Sequence, residues 1–411
     1  MKKLLLYFFL LLLTMGSLTA QQFDPEHPNK PYHNTVTTAA PFLIIPPDSR
    51  SGGMADMGVA TSADLWSQHH NPAKYAFNND VFGIGVSYAP WLKQLVNDVH
   101  LVDMTTFWKI TENDAIAFAL KYFSLGEIQF TNEYGELLNM AHPNEFSLDF
   151  TYSRKLSKIV SMALTPRFIY SNLGTGFQST NTGSEMKAGL AGAVDISLFI
   201  NKEFAHHKSD LKSSELLFGL CISNIGNKVS YTNEDVNRDF LPTNLRLGLT
   251  YALSFDDYNK LAFGVEAGKL LVPTPSQRVD VGGDTIIVGN NGKYHTDYNP
   301  IVGIGRAFYG APGGAAEKFR EVVWSFGLEY SYRDILFVRA GTFLENKYKG
   351  NRKFATVGVG LKYSIFAVDV SYLFAFTQHH PLENALRFSL SFLLKSFNKE
   401  QIKTQGQINK N

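Results

Sequence analysis

The chain has little cysteine, little charge and, beyond its first residues, no long apolar run. A lone Cys221 among 411 residues rules out an intramolecular disulfide framework and a cysteine-based zinc site. It lies in the apolar run Leu216 to Ile222 and reads as a strand residue. Charged residues make up 18% of the chain and the formal net charge is +1, without the basic surplus of a nucleic-acid binder. The one continuous apolar stretch, Leu4 to Leu13 after Met1-Lys2-Lys3, has the layout of a secretory signal, with cleavage expected after Ala20 to leave Gln21 first. It falls short of the roughly 20 residues of a spanning helix. No cysteine follows the expected cut, so no lipoprotein anchor is expected. Any further passage through a membrane must use strands.

Motifs for chemistry are equally scarce. There is no Gly-x-Ser-x-Gly elbow. Ser51-Gly52-Gly53 with Gly58 is followed by no Gly-Lys-Ser/Thr, so these glycines read as a tight backbone path and not as a phosphate cradle. The pairs His69-His70, His206-His207 and His379-His380 have no acidic or cysteine partner at metal-ligand spacing and read as solvated side chains. No catalytic residue, metal or cofactor is expected, and the chain reads as a non-enzyme.

What is present is alternation. Apolar residues make up 45% of the chain, with 32 Phe and 19 Tyr. In Leu386 to Leu394, apolar residues at 386, 388, 390, 392 and 394 alternate with Arg387, Ser389 and Ser391. A strand sends successive side chains to opposite faces, so one face here suits lipid and the other water. Phe146, Leu148, Phe150 and Tyr152 repeat the pattern against Ser147, Asp149, Thr151 and Ser153. Fourteen such segments are predicted: 82–90, 99–108, 113–123, 145–154, 159–170, 186–199, 214–224, 241–253, 259–268, 321–332, 335–343, 354–363, 365–374 and 385–394. Short and long links alternate between them, with 200–213 the one overlong inner link. A membrane offers no partner to an open sheet edge, so the strands must close. The fold class is an all-β membrane protein, a 14-stranded antiparallel outer-membrane β-barrel. Residues 1–20 are the signal peptide, 21–80 an N-terminal plug-like or periplasmic segment, 81–394 the barrel and 395–411 a polar tail. The even strand count predicts both termini on the periplasmic side.

Following the alternation inward assigns a set of ionisable wall residues to the lumen: Asp149, Asp195, Glu266, Glu329 and Asp369 against Lys121, Arg167, Arg246, Arg339, Lys362 and Arg387. Lipid-facing Arg or Lys would cost about 2–4 kcal/mol near the midplane. The near balance of sign argues against a one-sign selective pore. Two readings stay open, paired charges bracing a filled lumen and scattered polarity with water between. The longest link, Lys269 to Arg320, is apolar over Ile301 to Phe319. Its Ile301, Phe308, Tyr309, Pro312 and Phe319 are the candidate partner-binding residues.

Pro41-Phe42-Leu43-Ile44-Ile45-Pro46-Pro47-Asp48-Ser49-Arg50-Ser51-Gly52-Gly53-Met54-Ala55-Asp56-Met57-Gly58, followed by Asn71-Pro72-Ala73-Lys74-Tyr75, resembles the start of the PorV (LptO) family of type IX secretion outer-membrane proteins. Gly264 to Pro275, Ala311-Pro312-Gly313-Gly314 and Arg339-Ala340-Gly341 resemble it too. The stretch Ala63 to His70 departs from the family, being poorer in glycine and acids. The resemblance implies a FadL-like barrel that collects cargo bearing a C-terminal signal domain from an SprA/Sov-like translocon. It further implies delivery to a surface complex of a PorU-like sortase with PorQ and PorZ, where cargo is joined to lipopolysaccharide. Two alternatives accompany it: a FadL-type importer of hydrophobic compounds and a lipid A deacylase.

Overall fold

The computed structural model describes residues 33–91, 98–131, 134, 137–175, 186–206, 211–232, 238–281, 284–376, 383 and 385–395. The signal segment, the residues from 396 onward, His207 and His379-His380 lie outside them. Fourteen strands form the wall: β1 Asp80–Pro90, β2 Val99–Lys109, β3 Asp114–Leu125, β4 Asn144–Lys155, β5 Val160–Asn172, β6 Gly189–Ala205, β7 Ser213–Gly226, β8 Asn244–Ser254, β9 Asn259–Leu270, β10 Val323–Tyr332, β11 Leu336–Leu344, β12 Lys353–Tyr363, β13 Phe366–Ala375 and β14 Leu386–Lys395. Each pairs with the next, and β14 returns antiparallel to β1 with Ser389 opposite Ser87, closing the barrel.

The one inner link that looked too long is shortened by its strands. β6 continues to Ala205 and pairs Glu203 with Glu215 of β7, leaving 206–212 as the connection. Arg333, Asp334 and Ser364 take left-handed φ values of 56°, 52° and 55° in the tight turns. Among the described residues the long links carry three two-stranded hairpins of their own, one of them Gln277–Val281 with Asp284–Val288. Among the described residues no helix is long and apolar enough to cross a membrane.

The wall is two-faced at the level of single residues. On β4, Ser147, Asp149, Thr151 and Ser153 are buried, while Leu148, Phe150 and Tyr152 are exposed on the outer face. The inward side chains are mostly small. They leave room for a second body of chain, and residues 33–79 occupy that room.

This segment runs the length of the barrel. At the long-loop end, the His33 ring meets Tyr348 edge-on and the Asn34 N–H donates to the Tyr348 carbonyl at 3.1 Å. Lower down, Phe42 stacks on Phe123. A helical turn at Ser49–Gly52 is capped by Asp48, whose carboxylate accepts the Ser51 N–H. A 3-10 turn at Pro72–Phe77 then brings Tyr75 onto Phe107, before Asp80 opens β1 at the short-turn end. The strand ends Asp80 and Lys395 therefore lie together, as an even count requires. The first described residue lies at the opposite end, because the segment before β1 threads the lumen. The termini themselves lie outside the described residues.

Candidate functional site

The plug is held by backbone fit, by one short motif and by buried charge. A Cβ on Gly219 would collide with the Val59 carbonyl, and the Cα atoms of Gly53 and Gly358 face each other across the plug surface. In Asn71-Pro72-Ala73, the Asn71 amide donates to the carbonyls of Val59 (2.9 Å) and Leu198 (3.0 Å). The Ala73 carbonyl accepts the hydroxyls of Ser153 and Ser161 at 3.2 and 2.6 Å. The motif thus stitches the plug to β4, β5 and β6.

Of the eleven wall residues assigned to the lumen, five take partners from the plug, Lys121, Arg246, Glu266, Glu329 and Arg387, and the other six pair with wall residues. Glu329 accepts a bidentate pair from Arg50 at 2.9 and 3.0 Å and a third bond from Arg339 at 2.6 Å. Arg50 also reaches Asp64 at 2.7 Å, and Arg339 reaches Asp369 at 2.5 Å. Glu266 pairs with Arg246 and accepts the N–H groups of Gly58 and Val59, both at 2.9 Å. Arg387 holds Asp56, and Lys362 holds Asp80. Arg167 ties Asp149 at 2.6 Å to Asp195 at 3.0 Å. Lys121 instead donates to the Ile45 carbonyl and to His69 Nδ1.

The pair His69-His70 is not solvated, as a loop pair would be; it sits inside this network. Lysine and arginine only donate. Nδ1 of His69, facing Lys121, and Nδ1 of His70, facing Arg246 at 3.1 Å, must therefore accept. Both rings are neutral, and His70 Nε2–H donates to Asp48 at 2.8 Å. Burial, reinforced by neighbouring cations, holds both histidines below their ordinary pKa. Burial works the other way on Asp48, but the bonds from His70 and Ser51 outweigh it and keep the carboxyl well below its usual range. Sequence reasoning missed the plug's Asp48, Arg50, Asp56, Asp64 and Lys74, which follow no strand period. It also passed over Asp103 and Glu145, both buried, which the alternation of β2 and β4 does mark.

The long link after β9 forms the second site. Helices α1 (Pro300–Arg306) and α2 (Gly314–Arg320) stand on a buried ionic base. Glu317 accepts from Asn34 of the threaded segment (3.0 Å), from Lys349 (2.5 Å) and from the Gly313 N–H (2.7 Å). Glu321 pairs with Lys269 at 2.7 Å and Lys349 at 3.4 Å. Burial opposes ionisation of Glu321, yet the three neighbouring lysines hold it below the usual carboxylate range. Above this base the apolar residues face outward. Ile301 is 81% exposed and Phe319 79%, with Phe308 and Tyr309 more than half exposed. Pro312 is partly covered and lies against Gly289. Among the described residues no group of three His, Cys, Asp or Glu is placed to hold a metal ion.

No curated protein matches the chain. Solved structures to which the chain is similar include the Pseudomonas putida toluene transporter TodX, at 10% identity and TM-score 0.45, covering 85% of this chain and 96% of that one. A Pseudomonas aeruginosa FadL homologue matches at 12% identity and TM-score 0.43, covering 88% and 99%. The Ralstonia pickettii toluene transporter TbuX matches at 10% and 0.44, covering 85% and 98%. The family described as type IX secretion system protein PorV matches residues 28–277, more than half of the sequence. The chain belongs to the PorV family of type IX secretion outer-membrane proteins.

Proposed function

We propose that this protein is the outer-membrane shuttle of its secretion system. It collects cargo through the C-terminal signal domain at an SprA/Sov-like translocon and passes it to a surface complex containing a PorU-like sortase, PorQ and PorZ, close to lipopolysaccharide. The observation that carries this reading is the apolar surface of α1 and α2, held on a buried ionic base above an occupied lumen. Exposed apolar patches of this kind mark interaction sites. A rigid base lowers the ordering cost of binding. Long loops of bacterial outer-membrane barrels face outward, which supports a surface open to arriving cargo. A FadL-type importer of hydrophobic compounds has less support, since residues 33–79 cross the lumen from end to end.

The test replaces Ile301, Phe308 and Phe319 together with serine in the full chain, followed by pull-down from native membranes. The barrel should retain its heat-modifiable gel mobility, while recovery of translocon and sortase partners falls at least tenfold. Undiminished recovery would remove this surface from the proposal.

A further inference from the structure

One arginine at the long-loop end has no acceptor. The arginines of the lumen reach carboxylates, as Arg167 does with Asp149 and Arg387 with Asp56. Arg306, the last residue of α1, reaches none. Its guanidinium is held between the rings of Tyr298 and Tyr309, with the central carbon 4.9 Å from the centre of each. Its Nε–H is buried without an acceptor, and no described residue takes a hydrogen bond or an ion pair from its fork. Two ordinary roles do not account for this. A cation at a helix C-terminus can cap the last carbonyls, but backbone N–H groups already do so here. Ala307 donates to the Gly303 carbonyl (3.0 Å), Phe308 to Gly305 (3.1 Å) and Tyr309 to Arg306 (3.2 Å). Arg333 also lies against two tyrosines, Tyr258 and Tyr332, but it is exposed in a turn, where water satisfies it. Arg306 is only partly exposed. Stacking fixes the plane of its fork and leaves the donors unused.

A second unmatched group stands beside it. Asn290 is fully buried, and its Nδ2 is committed to the Thr274 carbonyl (2.7 Å) and the Ser276 hydroxyl (3.0 Å). That fixes Oδ1, which has no donor. Both groups border Gly310. A Cβ built there would lie 3.2 Å from Asn290 Oδ1 and 3.5 Å from Arg306 Nη1, and the φ of 87° favours the residue that has none. The notch at Gly310 thus offers a donor fork and one acceptor. An acidic residue presents the complement, a carboxylate that accepts and a backbone N–H that donates.

We propose that this notch receives an acidic side chain of the protein that docks on the platform. The inference rests on the reading of α1 and α2 as a docking surface, and adds to it the group that orients the partner. Tyr309, one wall of the clamp, and its neighbour Phe308 are both more than half exposed, which places Arg306 on the bare apolar surface. Apolar contacts there supply area without direction. A planar guanidinium takes a carboxylate in a paired, in-plane geometry, so it sets the register of whatever the apolar residues hold. A phosphorylated headgroup would match the fork, but it would leave Ile301 and Phe308 uncovered.

Pull-down from native membranes with two full-length variants tests this. Arg306→Gln should recover about tenfold less translocon and sortase partner than the wild type, as for an interface arginine that carries binding, with heat-modifiable mobility unchanged. Arg306→Lys puts an amine at the same place. A water-soluble carbodiimide should then join position 306 to an Asp or Glu of the recovered partner, read by mass spectrometry. Unchanged recovery in Arg306→Gln, where the triple serine variant of Ile301, Phe308 and Phe319 loses its partners, would overturn this inference and leave the docking surface standing. Unchanged recovery in both would remove the docking surface as well. Absence of the cross-link would also overturn the inference, and a matching fall in co-purified lipid phosphate would then assign the notch to a headgroup.

Discussion

The plug and the platform at the long-loop end are both built from chain that is not wall, and both are fastened by buried ion pairs. They use their apolar residues in opposite ways. In the plug, Phe42, Leu65 and Tyr75 turn into the barrel and are fully or nearly fully covered. On the platform, Ile301 and Phe319 turn away from their base and are bare. The same fastening thus holds apolar residues covered in one place and bare in the other. Asn34 joins the two, since the threaded segment donates to Glu317 beneath α2.

Breaking the fastening in the plug should have the largest effect. Glu329→Ala leaves Arg50 and Arg339 buried against each other without their shared carboxylate, and loss of one partner of a buried pair costs about 3–5 kcal/mol. The urea midpoint of unfolding should fall accordingly. Gly219→Ala forces a methyl group into the Val59 carbonyl and should cost about 1–3 kcal/mol by overpacking. Increased protease sensitivity of 33–79 would localise that loss to the plug.

Acid should separate the two regions more gently. His69 and His70 are neutral when folded, with pKa values below the ordinary value of about 6.5. The unfolded chain therefore takes up protons first as pH falls. The stability they contribute is present above about pH 6.5 and lost progressively below it, by up to about 1.4 kcal/mol per pH unit for each ring. Asp48 adds a further loss only below about pH 4, where unfolded carboxyls protonate. Thermal unfolding from pH 7 to 5 should show the first phase, and His69→Gln should reduce it. Smallest of all, Ile301→Ser or Phe319→Ser should shift stability by no more than about 0.5 kcal/mol, while still weakening partner recovery. A large loss of stability at either position would show that the platform is packed and not presented.

Much of this molecule could be read from its residues, and the limits of that reading are physical. A period of two needs only a lipid face and a water face, so all fourteen strands were visible. So was the inward set from Lys121 to Arg387, because charge on the outer face is costly. The plug follows no period. Its helical turns span only four to six residues, too short to show one face, and its charges are matched by wall residues more than 200 positions away, as in Arg50 with Glu329 and Asp56 with Arg387. The neutrality of His69 and His70 depends on Lys121 and Arg246, which no local pattern connects to them. The exposed apolar stretch in the long link was visible as composition, but its ionic base was not.

Alternation along the chain by itself determined a closed antiparallel barrel and the side of the wall that carries charge, since each strand must satisfy lipid and water within two residues. Only the tertiary structure decided that the lumen is filled from the long-loop end, which charges pair, and which apolar residues are left bare. Those outcomes depend on how segments distant in sequence meet in one confined volume, where burial raises the cost of every unmatched group.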